Sequence, residues 1–280
     1  MTKARVKVNW PVTIWLIGVH LLALLAFVPR FFSWSGVILA ASSYLATGIF
    51  GVNIAFHRTL THRGLVLAKP LEYLLALLGS LTVQGGPITW VATHRIHHAK
   101  SDRPGDPHGM DRGFFWAHVG WMLFEDPSFP KDDATFARYT PDLQVQPFYR
   151  FLDKYFLVLQ GALALVLLAI GGWSWVIWGV FVRLAFTYQI TWSVNSAAHA
   201  WGYRTYATKD RSTNNWVVAL LGAGEGWHNN HHAFPSSARH GLLRHELDLT
   251  WMIIKGFSYL GLAKEIVVPT PPQLERRVAA

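Results

Sequence analysis

Cysteine is absent from all 280 residues. That excludes disulfides, thiolate metal ligands, Cys-ligated iron–sulfur clusters and Cys nucleophiles, so any metal must sit on N and O ligands. Charge is scarce too. Asp, Glu, Lys and Arg make up 15% of the chain, against roughly a quarter in an ordinary soluble domain. Acidic groups are the scarcer sign, 16 against 25 Lys and Arg, which leaves a formal charge of +9. Such a balance suits anionic headgroups or an acidic partner. No basic, aromatic-laced module of the nucleic-acid-binding kind is present. Nor is there a Gly-x-Gly-x-x-Gly dinucleotide fingerprint or a His-Pro-Gly-Gly haem motif, so the chain carries no visible electron carrier of its own. The first apolar run is too long for a cleavable signal peptide, and no convincing small-residue cleavage site follows it.

What is abundant is apolar surface. Hydrophobic residues reach 51%, with 14 Trp and 17 Phe, and mean hydropathy is positive. A spanning helix needs about 20 mainly apolar residues. Residues 10–28 and 35–56 qualify, although Asn53 interrupts the second, and the short aromatic link Pro29–Trp34 predicts a hairpin. Residues 155–170 and 173–194 form a second hairpin about Gly171-Gly172, with Arg183 inside it. An ionisable group at that depth is costly unless paired or functional. Gln84-Gly-Gly-Pro87 breaks the apolar stretch 70–91, so 71–82 reads as a helix buried in protein or lying at the interface. Pro269–Pro272 mark a tail over 266–280 that looks disordered. The expectation is an all-α integral membrane protein forming one domain over 1–280, with four transmembrane helices in two hairpins and a helical cap over about 57–150 and 195–265. Lys3, Arg5 and Lys7 precede the first span, whereas the two hairpin loops hold one basic residue, Arg30. The positive-inside rule then places the N-terminus and the cap in the cytoplasm.

Nine of the 14 histidines fall into a pattern: His57-Arg-Thr-Leu-Thr-His62, His94-Arg-Ile-His97-His98, Asn195-Ser-Ala-Ala-His199 and His228-Asn-Asn-His231-His232. With the predicted topology all nine emerge on one side of the membrane. On a helix each residue advances about 100°, so the three rings of His-x-x-His-His occupy one arc of about 100° and can face a shared point. His57 and His62 lie about 140° apart on an ideal α-helix, so they must straddle a site or flank a helix end. Asn195 precedes His199 by one helical turn and could hold a water on a metal. Neutral imidazole is the commonest protein metal ligand. Nine rings suit two ions with four or five ligands each and an open position, which favours redox iron over a closed structural zinc site. Asp106, Glu225, Asn229 and Asn230 are candidates to orient the rings from behind. His20, His108, His118, His240 and His245 read as ordinary surface or hydrogen-bonded core residues.

At these stretches the chain resembles the membrane fatty-acid desaturases, in particular the Δ9 acyl-CoA or acyl-lipid group and its bacterial and cyanobacterial branch. The resemblance rests on His57–Gly64, Trp90–His98, Asp106-Pro-His-Gly109, Asn195–Gly202 and Gly224–Pro235, in order over about residues 50–245. It implies a cytoplasmic cap carrying two iron ions on the nine histidines, and O2 and two electrons used to remove two hydrogens from a C16 or C18 acyl chain, leaving a cis double bond. It implies a narrow kinked tunnel, with Gln84 and Trp90 near the kink and Ala41 and Leu45 near the far end. It also implies a separate electron donor, such as ferredoxin, rubredoxin or cytochrome b5, and a bacterial inner or thylakoid membrane. One departure bears on the substrate. Animal acyl-CoA desaturases carry a charged, headgroup-contacting pair where this chain has Ala92 and Thr93, so a glycerolipid is as open as acyl-CoA. Arg58, Arg63, Arg95, Lys100 and Arg103 are candidates for either headgroup. The rival readings are a membrane hydroxylase or alkane monooxygenase on the same metal site, and a non-catalytic membrane metal-binding or transport protein. The last would place its metal-binding groups within the spans.

Overall fold

A computed structural model describes residues 7–129 and 132–278. Lys3 and Arg5, on which part of the predicted orientation rests, lie outside the described residues. Three helices are long and apolar enough to cross a membrane: α1 (Trp10–Phe27), α2 (Trp34–Thr61) and a run from Pro147 to Ala200. The run is itself a hairpin. Gly172 sits at φ 64°, ψ −162°, a left-handed position that glycine adopts at little cost. The two arms then fold back on each other, and Arg183 Nη2 in the second donates to Gln160 Oε1 in the first at 2.7 Å. The predicted 155–170 arm starts earlier, at Pro147, whose fixed φ suits a first helical turn.

The second predicted span ends at 56, but α2 runs on through His57 to Thr61. From Leu45 onward it is wound wide, with i→i+5 bonds. Its last turn closes with His62 N donating to His57 O at 3.1 Å. After a short turn, α3 (Lys69–Ser80), the helix expected to be buried in protein or to lie at the interface, packs one face across α2. The crossing is so close that a Cβ on Gly51 would lie 2.3 Å from Gly79 N. The chain then breaks at Leu81–Gly86 and re-enters helix as α4 (Pro87–Lys100), again with Pro in the first turn.

Two apolar clusters hold the molecule together. One lies among the long helices and includes Leu16, Val19, Leu167, Val180 and Leu184. The other gathers around α3, α4 and the end of α2 and includes Phe56, Leu75, Val91, Ile96, Leu152 and Ile254. Outward faces of the long helices carry Phe27 (83% exposed), Ile38, Leu165 and Ile170. Apart from isolated bridges, the β structure among the described residues is one two-residue pair, Val66–Leu67 with Ala263–Lys264. The C-terminal segment is not the loose tail that its prolines suggest. Thr270 and Gln273 form a capping box on a short helix, Pro271–Glu275. Ala238 N donates to Val267 O at 2.8 Å and Ala207 N to Arg277 O at 2.8 Å, which straps the tail to the segments around 207 and 238.

Arg183 is 1% exposed. Its donors go to Gly179 O, Thr47 Oγ1, Leu81 O and Gln160 Oε1 at 2.7–3.0 Å. The guanidinium is satisfied by neutral acceptors, as a buried charge must be. By holding Leu81 O it also braces the broken segment between α3 and α4.

Candidate metal centre and acyl cavity

The wide winding of α2 resolves the awkward spacing of its two histidines. In an i→i+5 helix the residue five along stands one turn above, so His57 and His62 share a face, with ring centroids 4.9 Å apart. They join His94, His98 and His231 in a group of five whose candidate ligand atoms all lie within 4.8 Å of one another. His97, His199, His228 and His232 form a second group of four by the same measure.

Each His-x-x-His-His segment therefore serves both groups, not one shared point as its arc suggests. In α4 the i,i+4 pair His94 and His98 faces the group of five, and His97 faces the group of four. In α5 (His228–Ala233) the pair His228 and His232 faces the group of four, and His231 crosses to the group of five. Residues four apart stack along one face, whereas the ring between them is turned aside.

Four carboxylates stand behind these rings. His57 Nδ1 donates to Glu225 Oε2 at 2.5 Å, and His97 Nδ1 to Asp106 at 2.9–3.0 Å. His199 Nδ1 donates to Asp102 Oδ2 at 2.9 Å and His232 Nδ1 to Asp210 Oδ2 at 2.8 Å. Asp102 and Asp210 were not foreseen, because they reach rings far along the chain or arrive from a separate loop. Asn229 and Asn230 do not orient rings. Asn229 Oδ1 accepts from Thr205 N and Tyr206 N at 2.8–2.9 Å. Asn230 Nδ2 donates to Glu246 Oε2 at 2.7 Å and His240 O at 2.9 Å. Both brace loops.

The electrostatics follow from burial and these pairings. Burial alone would raise Asp102, but the hydrogen bond and charge of His199 bring it down to about 2. Burial opposes ionisation of Glu225 as well, yet His57 and Arg58 hold it well below the usual carboxylate range. Burial first, then neighbouring rings, push His62, His94, His98, His228 and His231 far down. These imidazoles are thus neutral, each with a free lone pair.

A metal fits this donor set. With Nδ1 tied to carboxylate, the Nε2 atoms of His97, His199 and His232 are buried and meet no protein partner. The same holds for both nitrogens of His228. In the other group nitrogen faces nitrogen: His57 and His231 Nε2 are 3.0 Å apart, and His98 and His231 Nε2 2.9 Å. Leaving a buried polar atom unsatisfied costs about 1–3 kcal/mol, and so many converging lone pairs are what a cation would satisfy.

Two histidines that read as ordinary in sequence are drawn into this core. The His108 ring lies 4.2 Å from His97, and the His240 ring lies 4.4 Å from His231. Each stands in an isolated stretch, so no spacing marks it. His20, His118 and His245 stay outside, bonded to Leu16 O, to Ser196 and Gln189, and to Tyr203.

A cavity of about 480 Å³ runs from the long helices to this centre. Its walls include Trp15, Leu16, Val83, Trp121, Phe156 and Trp192, and it reaches His94, His108 and Asn195. Gln84, Trp90 and Thr93 line it, as expected of the first two. Ala41 and Leu45 do not. Both face outward, Leu45 at 44% exposure, because the cavity lies against α1 and the 188–195 turns instead. Ala92 is fully buried on the side of α4 away from the cavity lining.

Arg58 is removed from the headgroup candidates. It is fully buried, donating to Glu225, Asp248 and Ala238 O at 2.8–3.2 Å. Arg95 is committed likewise, to Asp142, Tyr139 O, Leu60 O and Thr61 O. Arg63, paired with Asp142 but exposed, stays accessible, whereas Arg103, also exposed, lines a separate cleft and not the acyl cavity.

Comparison with known proteins agrees with this geometry. A profile described as fatty acid desaturase matches residues 32–262. An sn-1 stearoyl-lipid 9-desaturase of Anabaena variabilis is 51% identical, covering 95% of this chain and 96% of that protein. An sn-2 palmitoyl-lipid 9-desaturase of Nostoc sp. is 47% identical over 91% and 88%. An acyl-CoA C20 Delta5-desaturase of Anemone leveillei is 43% identical over 90% and 80%.

Proposed function

The chain belongs to the fatty acid desaturase family, and from that premise we propose that it places a cis double bond at position 9 of a C16 or C18 acyl chain esterified in a membrane glycerolipid. The observation that carries the reading is the apolar cavity ending on the imidazoles, with Asn195 and His94 at its inner end. The lipid carrier is favoured by the stearoyl-lipid and palmitoyl-lipid substrates named for two close relatives. The absence of a charged pair at Ala92 and Thr93 agrees with it.

The balanced reaction takes one acyl –CH2–CH2– unit, O2, two electrons and two protons to –CH=CH– and two waters. Two iron ions, one held by His57, His62, His94, His98 and His231 and the other by His97, His199, His228, His232 and a water on Asn195, would supply the oxidation of the C–H bonds. The chain does the positioning. Trp90 and Gln84, on either side of the turn before Pro87, line the cavity beside His94. A fixed methylene pair at that point turns orientation into regioselectivity. Glu225, Asp102, Asp106 and Asp210 hold the Nδ1 protons of their rings, which leaves Nε2 lone pairs inward and raises ligand basicity. The aromatic and aliphatic wall keeps bulk water from the reacting carbons.

We further propose one domain over 1–280 and four membrane crossings, the hairpin about Gly172 supplying two of them. The imidazole cap lies on the cytoplasmic side of a bacterial inner or thylakoid membrane, with Lys7 on the same side. Expression in cells lacking unsaturated fatty acids, followed by mass spectrometry of lipids and acyl thioesters, tests the function. The expected product is a 9-monoene appearing first in glycerolipid. First appearance in acyl-CoA overturns the carrier, and an alcohol without alkene overturns desaturation in favour of hydroxylation.

A further inference from the structure

The imidazole centre opens in two directions, and only one of them suits an acyl chain. The apolar cavity reaches His94 and His108. A second cleft, about 430 Å³, shares no lining residue with it. Its wall includes His98 and His232, one ring from each imidazole group. Those two rings stack at 4.5 Å between centroids.

The rim of this second cleft is basic. Arg103, Lys209 and Arg277 line it, all three exposed. Among the described residues, neither Arg103 nor Lys209 makes an ion pair. Arg277 is held in place by a bond to Ala233 O and sits 5.3 Å over the Phe234 ring. The carboxylate in the lining, Asp210, is engaged by His232 Nδ1 and by Ser212. Its charge is spent inward, so the mouth presents cations above two of the rings.

The reaction proposed above needs two electrons per turnover, and the chain holds no thiolate cluster, haem motif or dinucleotide fingerprint to supply them. From these observations we propose that the cleft framed by Arg103, Lys209 and Arg277 is the docking site of an acidic one-electron carrier protein, and that electrons enter through His98 and His232. This inference rests on the oxidative reading of the centre. The carrier docks twice per turnover, is oxidised by one electron each time, and leaves. O2 and two protons complete the balance, and the acyl hydrogens depart in the two waters. Cations at a mouth that the substrate does not use steer the carrier without competing with lipid entry.

The test uses the full chain, iron-loaded, in nanodiscs of zwitterionic lipid, with an acidic [2Fe–2S] ferredoxin as probe. Binding of the oxidised ferredoxin is measured at several ionic strengths, independently of turnover. The double substitution Arg103→Glu with Lys209→Glu should weaken binding by about tenfold or more and flatten its salt dependence. The Gln versions should fall between. Half-saturation by ferredoxin should rise in parallel, while half-saturation by acyl lipid and iron content stay constant. Lys255→Glu, an exposed cation outside the cleft, should change nothing. Unchanged binding in the double variant, or an equal loss in Lys255→Glu, would overturn the proposal. Binding is read without product, so a wild type that binds ferredoxin yet makes an alcohol refutes desaturation and leaves the docking site standing.

Discussion

The two imidazole groups are drawn largely from the same helices but held in different ways. In the group of four, His97, His199 and His232 each have Nδ1 tied to a separate aspartate. In the group of five, among the described residues, only His57 has such a tie. Its other rings pack against one another, while His57 joins a buried ion-pair network, since Glu225 also receives Arg58. One group is set by charge-assisted bonds that fix tautomer and angle; the other is set by the fold around it. The difference predicts unlike responses to single substitutions.

The largest effect should be common to both. His231→Ala removes a ring from the group of five, and His97→Ala one from the group of four. Each should lower alkene formation by more than about 100-fold, beyond what loss of an orienting partner costs, while the protein still inserts. Iron per chain and monoene yield check this together. Turnover retained in either variant removes that ring from the ligand set.

The groups should part at their carboxylates. Asp106→Asn loosens the His97 ring and keeps one oxygen for the backbone donors Asp102 N and His108 N, so iron affinity or turnover should fall by about 10–100-fold. Glu225→Gln does the same to His57 and in addition strips Arg58 of one of two carboxylates. Removing one partner of a buried pair costs about 3–5 kcal/mol, and Asp248 retains part of the compensation. Thermal unfolding in detergent should therefore move far more for Glu225→Gln than for Asp106→Asn. Equal shifts would mean that the group of five does not depend on the Arg58 network.

The nine rings that gather in the two groups, and the helices that bear them, are legible in the sequence, because histidine spacing and apolar length are local properties. It did not carry the division into five and four. That depends on α2 being wound with i→i+5 bonds, which brings His57 and His62 onto one face, and nothing in their five-residue spacing announces it. Asp102 and Asp210 were hidden for a related reason: a carboxylate 97 residues from its imidazole in one case and 22 in the other has no spacing signature. Glu225 and Asp106 were visible only because they lie near histidine-bearing stretches, although Glu225 in fact serves a ring 168 residues away. The positions assigned to the far cavity end, Ala41 and Leu45, depended on which face of α2 turns inward. A helix apolar all round does not reveal that.

The smallest expected effects concern the rings that border the groups without belonging to the patterned nine. His240 is placed by its backbone: its N donates to Asp248 Oδ2 at 2.7 Å and its O accepts from Asn230 Nδ2 at 2.9 Å. Its Nδ1 stands 3.6 Å from Glu225 Oε2, beyond a normal hydrogen bond. His108 is anchored by its own N to Asp106 Oδ1 at 3.1 Å, and burial, with His97 beside it, lowers its ring to about 3. Both rings are neutral fillers against the imidazoles of the two groups, so His240→Gln and His108→Gln should leave the metal content unchanged and lose less than about tenfold in turnover. His240→Gln is the sharper of the two. His240 abuts the group whose rings lack carboxylate ties, where a sixth nitrogen has the most room to act. Loss of one iron in that variant would make His240 a ligand, and the group of five would then be a group of six held by the Arg58 network at both ends.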